Sequence, residues 1–155
     1  MTGTERYNGL GLLYPPFKAR LLRGLELAQQ ANIPVKIFET FRTRERQAML
    51  YAQGRTTEGN IVTNAKPGFT YHNYGIAADL VMYIDGQWTW RPLDLYESLV
   101  KYMTLQGLES LSHKGDWPHY QLPNLNIHEL SNLYDRQRLE GVWLKLNKTF
   151  GGLNV

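Results

Sequence analysis

Residues 70–79 read T-Y-H-N-Y-G-I-A-A-D, which places a histidine and an aspartate seven positions apart with a glycine between them. Gly75 can adopt a positive φ, so the chain can turn sharply between the two polar residues. Asp79 stands near the start of an apolar run, residues 78–84, which is typical of a buried strand. A buried carboxylate is costly unless it is paired or binds a metal. Both a salt bridge and a metal site are therefore open interpretations of Asp79.

A second polar pair occurs in D-W-P-H, residues 116–119. In a regular strand, Asp116 and His119 would face opposite sides of the sheet. Pro118 favours an extended conformation in the residue before it, and a bend just before His119 would bring both side chains to one site. Gln121 would then share a strand face with His119.

Two imidazoles and one carboxylate are a standard catalytic zinc set, with the fourth position left for water. The candidate ligands are His72, Asp79 and His119. Zinc lowers the pKa of water towards ~7, and a second carboxylate must then carry a proton to the leaving group. Asp116 is the candidate for that role. Spacing alone does not separate this interpretation from ordinary hydrogen-bonded histidines.

The composition limits the class of protein. A chain of 155 residues with 43% hydrophobic and 20% charged residues is typical of one globular domain. It has no cysteine, so a metal would depend on histidine and carboxylate ligands. A net charge of +3 indicates either a solvated basic surface or attraction to an anionic polymer. No Lys/Arg run marks a nucleic-acid site, and no apolar run approaches the ~18 residues that span a bilayer.

The periodicity of the chain predicts an α+β fold, a single domain with a central antiparallel sheet flanked by helices. We predict a long loop over residues 54–70, of the kind that is either functional or disordered, a hairpin at Asp85-Gly86, and one or two tail helices broken near Gly141. The predicted helices cover about 15–32, 44–53, 92–106 and 126–148. The predicted strands cover 35–41, 78–84 and 87–90. Two further strands are predicted, one from about residue 108 and one at the end of G-D-W-P-H-Y-Q-L, residues 115–122.

Three segments in this order resemble the zinc D-Ala-D-Ala carboxypeptidase and L-Ala-D-Glu endopeptidase family, which includes vancomycin-resistance-type DD-peptidases. Residues 70–79 are similar to its motif S-x-H-x-x-G-x-A-x-D, and D-W-P-H is similar to its motif (E/D)-x-x-H. Residues 39–55, E-T-F-R-T-R-E-R-Q-A-M-L-Y-A-Q-G-R, resemble G-Y-R-T-x-x-x-Q-x-x-L-Y-x-Q-G-R. The resemblance covers about 35–122 and is greatest to the L-alanyl-D-glutamate peptidase branch of phage endolysins and bacterial cell-wall hydrolases.

The resemblance implies three zinc ligands, namely His72, Asp79 and His119. It implies that Asp116 acts as general base and acid and that Arg42 stabilises the developing oxyanion. A salt bridge from Arg42 to a carboxylate at a strand end is the alternative interpretation. Gln47 and Thr70 match family positions and are candidates for substrate binding, although Gln47 could also only shape the cleft.

Several positions depart from the family pattern. Thr70 replaces a serine, Phe41 a tyrosine and Thr40 a glycine, and residues 109–115, E-S-L-S-H-K-G, replace a W-G-G-like stretch. His113 lies in that stretch and matches no ligand, so we interpret it as a surface or structural residue. His128 opens the predicted tail helix and is also interpreted as structural.

The implied function is hydrolysis of the stem peptide of peptidoglycan, at the L-Ala-D-Glu bond, by a DD-peptidase/hedgehog-like domain spanning residues 1–155. The tail, about 125–155, lies outside the resemblance. The first ten residues lack the apolar core of a signal peptide, so we expect synthesis in the cytoplasm and holin-type release to the wall. We also expect a monomer without nucleic-acid partners. The alternatives are a D-Ala-D-Ala carboxypeptidase and a non-catalytic, zinc-bearing wall-binding module.

Overall fold

Four α-helices and five strands are present in the computed structural model, which describes residues 3–151; residues 1, 2 and 152–155 of the predicted domain lie outside that range. The helices are α1 (Pro15–Gln30), α2 (Arg44–Ala52), α3 (Leu93–Leu105) and α4 (Ile127–Leu146). The strands are β1 (Val35–Glu39), β2 (Ala77–Ile84), β3 (Gln87–Thr89), β4 (Glu109–Leu111) and β5 (Asp116–Gln121). Most predicted boundaries agree with these to within two residues.

Strand β2 is the centre of the sheet. The strand order is β1-β2-β5-β4, with β3 paired to the far end of β2, and every ladder is antiparallel. The turn between β2 and β3 has positive φ at both Asp85 (52°) and Gly86 (75°), as a two-residue hairpin requires. The predicted hairpin and the predicted α+β fold with a central antiparallel sheet are therefore confirmed.

The alternation of side chains along β2 separates the core from the site. Ala78, Leu80 and Met82 lie in the apolar core, and all three are fully buried. Helices α1 and α3 fill the same core through Phe17, Leu21, Leu99 and Met103. Because neighbouring residues of a strand point to opposite faces, Asp79 faces the other side of the sheet. The apolar pattern of β2 therefore places one carboxylate away from the core.

The tail has the predicted break, but the break lies at Arg138, three residues before Gly141. The non-helical residue of α4 is Arg138, with φ 60° and ψ −167°, and the helix continues through Gly141. Gly141 is buried, and a Cβ at this position would collide with the side chain of Gln137. The absence of a side chain at residue 141 therefore serves close packing and does not end the helix.

Helix α4 packs on the short 3₁₀ turn Tyr71–Tyr74, which carries His72. The indole Nε1 of Trp143 donates a hydrogen bond of 2.8 Å to the carbonyl oxygen of Tyr74. The Trp143 ring also lies against Tyr14, with ring centroids 5.6 Å apart. The tail is thus a structural support of the turn. Among the described residues, none of the helices combines the length and the apolar character needed to cross a membrane.

Gly75 ends this turn in the left-handed region, with φ 72°. A Cβ at residue 75 would collide with the carbonyl oxygen of Leu12 and approach Trp143 to 3.3 Å. The position therefore requires glycine for two reasons, the sign of φ and the close approach of the backbone.

We predict that Gly75→Ala lowers the free energy of unfolding by about 2–4 kcal/mol, because backbone strain and steric overlap add. Gly86→Ala is the matched control, since its φ is 75° and a Cβ there meets no atom within 4 Å. This control should cost only about 1 kcal/mol. Urea denaturation measures both values, and equal losses would show that the contact with Leu12 carries no energy.

Candidate metal centre

Asp79 and His119 are direct partners across the ladder between β2 and β5. The Nδ1 atom of His119 lies 3.3 Å from Oδ1 of Asp79. Opposed residues of paired strands have their Cβ atoms about 4.5–5.5 Å apart, so the strand register itself brings the two side chains together.

His72 approaches the same carboxylate from the 3₁₀ turn. Thr70 caps this turn, because its Oγ1 accepts a hydrogen bond from the backbone N–H of His72 at 3.3 Å. The imidazole is 1% exposed, and its Nδ1 donates to the carbonyl oxygen of Thr40 at 2.7 Å. Since the carbonyl can only accept, Nε2 carries the lone pair, and it lies 3.4 Å from Oδ2 of Asp79.

Gln121 orients the second imidazole. Its Oε1 accepts a hydrogen bond of 2.7 Å from Nε2 of His119, two residues earlier on the same face of β5. In the neutral ring this bond leaves the lone pair of His119 on Nδ1, the atom that faces Asp79. The shared face of His119 and Gln121 was expected from the sequence, whereas their contact was not.

The donor atoms of His72, Asp79 and His119 all lie within 4.8 Å of one another, so this group could hold a metal ion. One observation supports the fit: Nε2 of His72 is buried and has no hydrogen-bond partner, although buried polar atoms normally have one. Two imidazole lone pairs and a carboxylate oxygen therefore converge on one point. This donor set suits zinc and related divalent transition metals.

Burial and neighbouring charges set the protonation states of the three groups. Burial lowers the pKa of His72, which favours the neutral form that binds metals. Burial alone would raise the pKa of Asp79, but the adjacent imidazoles hold it well below its ordinary value. Burial alone would lower the pKa of His119, but its hydrogen bond to Asp79 raises it. A metal ion would therefore compete with a proton for Nδ1 of His119.

Asp116 reaches the cleft because β5 is irregular. Ser110 of β4 pairs with Tyr120, but the next residue, Leu111, pairs with Asp116, so three residues of β5 have no partner on β4. Such a bulge changes the direction of the strand. Asp116 and His119 consequently line one cleft, which confirms the bend expected before His119. Partial desolvation by the walls of the cleft raises the pKa of Asp116.

Arg42 lies between two carboxylates. One of its guanidinium nitrogens is 2.9 Å from Glu39 and 3.1 Å from Asp79. The other carboxylate oxygen of Glu39, which is 1% exposed, accepts a bond of 2.5 Å from Arg46. The salt bridge to a strand-end carboxylate, considered as an alternative for Arg42, is therefore present, and Arg42 also lines the cleft.

Gln47 is fully buried behind the cleft wall. Its Oε1 accepts from Arg42 at 3.2 Å, while its Nε2 donates to the carbonyl oxygen of Ala65 at 2.7 Å and to Thr63 at 3.3 Å. Gln47 thus ties the loop over residues 54–70 to Arg42. The structure therefore places Gln47 outside the cleft surface and Thr70 on it.

The cleft has a volume of about 800 Å³ and contains the three potential metal ligands. The loop and the β2–β3 hairpin supply its walls together with the segment after β5. Residues that line the cleft include Phe38, Val62, Thr63, Asn64, Ala65, Phe69, Thr70, Trp90, Glu109, Lys114, Asn124, Leu125 and Ile127. His113 is exposed next to a lining residue, and His128 is exposed with its ring 5.3 Å from Phe69.

Sequence reasoning missed two residues of the site, Glu39 and Gln121. The signal for Glu39 was its position at a strand end, three and seven residues before Arg42 and Arg46. Gln121 could be inferred only from its strand face, because amides form hydrogen bonds at many sites. Glu39 acts on the site through Arg42, and Gln121 acts through His119.

An antiparallel sheet that brings two imidazoles and two carboxylates to one cleft is an arrangement typical of metal-dependent hydrolases. Residues 13–117, more than half of the chain, match the family model VanY, D-alanyl-D-alanine carboxypeptidase. The chain therefore belongs to this family, as the three sequence motifs indicated.

Individual relatives agree with this assignment. The chain is 51% identical over 55 residues to the peptidoglycan L-alanyl-D-glutamate endopeptidase CwlK of Bacillus subtilis, a match covering 36% of this chain and 33% of that protein. The chain thus spans about a third of the length of the curated relative it matches.

Two solved structures share the fold. The L,D-carboxypeptidase DacB from Streptococcus pneumoniae is 21% identical, with a TM-score of 0.57 over 81% of this chain and 77% of that chain. The L-Ala D-Glu endopeptidase ChiX from Serratia marcescens is 19% identical, with a TM-score of 0.52 over 77% of this chain and 90% of that chain.

We predict that Glu39→Gln lowers the free energy of unfolding by about 3–5 kcal/mol, because two partly buried guanidinium groups lose their shared counter-charge. Glu26→Gln is the control, since the Arg23–Glu26 pair is 55% exposed on both sides. This exposed pair should contribute at most about 1 kcal/mol. Chemical denaturation compares the two variants, and similar small losses would contradict a structural role for Glu39.

Proposed function

We propose that this chain is a zinc-dependent peptidoglycan hydrolase that cleaves the L-Ala-D-Glu bond of the stem peptide. The observation that carries the proposal is the convergence of His72, Asp79 and His119 beside Asp116 in one open cleft. A non-catalytic zinc module would have no use for the additional carboxylate in the cleft.

The relatives support the choice of bond. The sequence match at 51% identity is to a protein described as an L-alanyl-D-glutamate endopeptidase. The description of the family favours the second candidate, a D-alanyl-D-alanine carboxypeptidase. Both activities act on the same polymer and use the same kind of site, so products must distinguish them.

Zinc is the proposed cofactor, with His72, Asp79 and His119 as its ligands. Nε2 of His72 and Nδ1 of His119 supply lone pairs, and Thr40 and Gln121 hold the two rings in these orientations. Partners of this type fix the tautomer of a ligating histidine and increase its basicity. A bound zinc ion supplies Lewis-acid chemistry, acidifying a water molecule and polarising a carbonyl group.

Asp116 is the proposed general base and acid. Its carboxylate is open to the cleft and is separated by only two residues from His119. It would accept a proton from the attacking water and pass that proton to the nitrogen of the leaving amine. The raised pKa of Asp116 makes its carboxylate a better proton acceptor in the first step.

Arg42 is the proposed electrophilic residue. Its side chain is 13% exposed and lies at the floor of the cleft, where Glu39, Asp79 and Gln47 hold the guanidinium group. A fixed positive group stabilises the oxyanion that develops on the scissile carbonyl. Thr70, on the cleft wall, is proposed to contact the substrate through its hydroxyl group.

The proposed place of action is the cell wall, and the proposed partner is the stem peptide. The net charge of +3 favours contact with an anionic wall. We propose that the protein acts as a monomer, without nucleic-acid partners, and reaches the wall after holin-type release, as a bacteriolytic endolysin does.

We predict that the protein releases stem peptides with a new amino-terminal D-Glu from purified peptidoglycan, and that a chelator abolishes this activity. Added zinc should restore it, because the three ligands would regain their ion. Mass spectrometry of the fragments identifies the bond. Release of free D-Ala alone would reject the endopeptidase proposal in favour of the carboxypeptidase.

We predict that Asp116→Asn retains one equivalent of zinc and lowers kcat by about 10²–10⁴-fold, the range typical of lost general acid–base catalysis. Glu109→Gln removes the same charge from the same cleft and should lower kcat by less than about tenfold. Metal analysis and hydrolysis assays separate the two effects. A fully active Asp116→Asn enzyme would contradict the proposed mechanism.

A further inference from the structure

Three aromatic rings form a cluster at one end of the cleft, which we call the aromatic ledge: Phe38, Trp88 and Trp90. Both indole rings pack edge-on against Phe38, with centroid distances of 5.0 Å for Trp88 and 4.8 Å for Trp90. The two tryptophans nevertheless remain 40% and 46% exposed. So much exposed indole surface beside a catalytic cleft points to a binding function.

The ledge is rigid on its outer side. The guanidinium group of Arg6 lies 4.3 Å from the ring centroid of Phe38 and 4.7 Å from that of Trp88, and it also donates to the carbonyl oxygen of Phe38 at 2.6 Å. Arg6 therefore covers Phe38 and Trp88 but not Trp90. Phe38 and Trp90 line the cleft, whereas Trp88 does not.

The ledge also lies next to the proposed metal centre. Phe38 immediately precedes Glu39, which is the partner of Asp79 in the ladder between β1 and β2. Adjacent strands are about 4.8 Å apart, so Phe38 is about one residue away from a proposed metal ligand. Trp90 in turn contacts Phe38. A group bound on Trp90 would therefore be close to the scissile bond.

We propose that Trp90 binds the sugar ring that carries the stem peptide, an inference that rests on the proposed cleavage at L-Ala-D-Glu. In peptidoglycan, L-Ala is attached to the lactyl group of the N-acetylated amino sugar. The sugar is then separated from the scissile bond by L-Ala and the lactyl group, about two residue lengths or ~7 Å of extended chain. For a D-Ala-D-Ala bond the sugar would be about five residue lengths away, beyond the reach of a ledge beside the metal.

The chemistry of the substrate also favours a sugar over a peptide side chain. Alanine and glutamate offer only a methyl group and a carboxylate, and neither could cover an exposed indole ring. A pyranose presents a flat face of C–H groups, which suits the apolar face of an aromatic ring, while its polar edge remains in water. The sugar therefore matches Trp90 better than either residue of the scissile bond does.

The test compares two substrates that differ only in the sugar ring: N-acetylmuramyl-L-Ala-D-Glu-L-Lys and the same peptide acylated with lactate. We expect wild-type protein to prefer the muramyl peptide, and Trp90→Ala to reduce this preference in kcat/KM by about tenfold. Trp88→Ala is the matched control, with similar exposure on the same hairpin, and should change the preference by less than about twofold. Trp90→Phe should retain part of it.

If Trp90→Ala loses the same activity on both substrates, the preference for the muramyl peptide is unchanged. That result would overturn the proposal. If wild-type protein cleaves neither substrate, the proposed function fails, and a binding measurement decides the subsite. Peptide-free glycan chains are titrated into Asp116→Asn protein while the indole N–H signals are followed by NMR, with Trp88→Phe and Trp90→Phe used for assignment. A shift of the Trp90 signal without one for Trp88 supports the proposal, and an unmoved Trp90 signal rejects it.

Discussion

The pairing of β2 with β5 is the contact on which the candidate site depends. It opposes Asp79 to His119, and the alternation of side chains along β2 keeps Asp79 out of the apolar core. A register shift of one residue would turn Asp79 into the core and Leu80 towards the opposite face. The free energy that buries the apolar face of β2 therefore also determines where the carboxylate lies.

The second constraint is the balance of buried charge. Arg42 would be repelled by a divalent cation held beside Asp79, yet it lies 3.1 Å from that carboxylate. Glu39 offsets this repulsion, because it is paired with both Arg42 and Arg46 on the far side of the cleft floor. Charges in a protein interior interact more strongly than in water. A carboxylate outside the proposed ligand set thus allows a guanidinium group and a metal to share one site.

Much of this architecture could be predicted from local sequence patterns. The hairpin at Asp85-Gly86 and the positive φ of Gly75 at the end of the histidine turn could be predicted from neighbouring residues. The contact between Asp79 and His119 could not be derived from spacing, because it joins residues forty positions apart and required the family resemblance. The break in the tail was predicted near Gly141 but lies at Arg138, since nothing in the sequence around Arg138 indicates a positive φ. Similarly, the inward orientation of Gln47 depends on a loop that has no periodicity.

The division of the cleft between sheet and loops explains how one fold can serve different peptide bonds. The proposed metal ligands come from the sheet and the adjoining turn, whereas the walls come from the hairpin and from a loop held by Gln47 and Arg55. Structural neighbours described as an L,D-carboxypeptidase and an L-Ala D-Glu endopeptidase share this fold at about 20% identity. Because loops vary without disturbing the core, the choice of bond should depend on the walls. In this chain, one wall of the cleft is aromatic, because Phe38 and Trp90 pack against each other there.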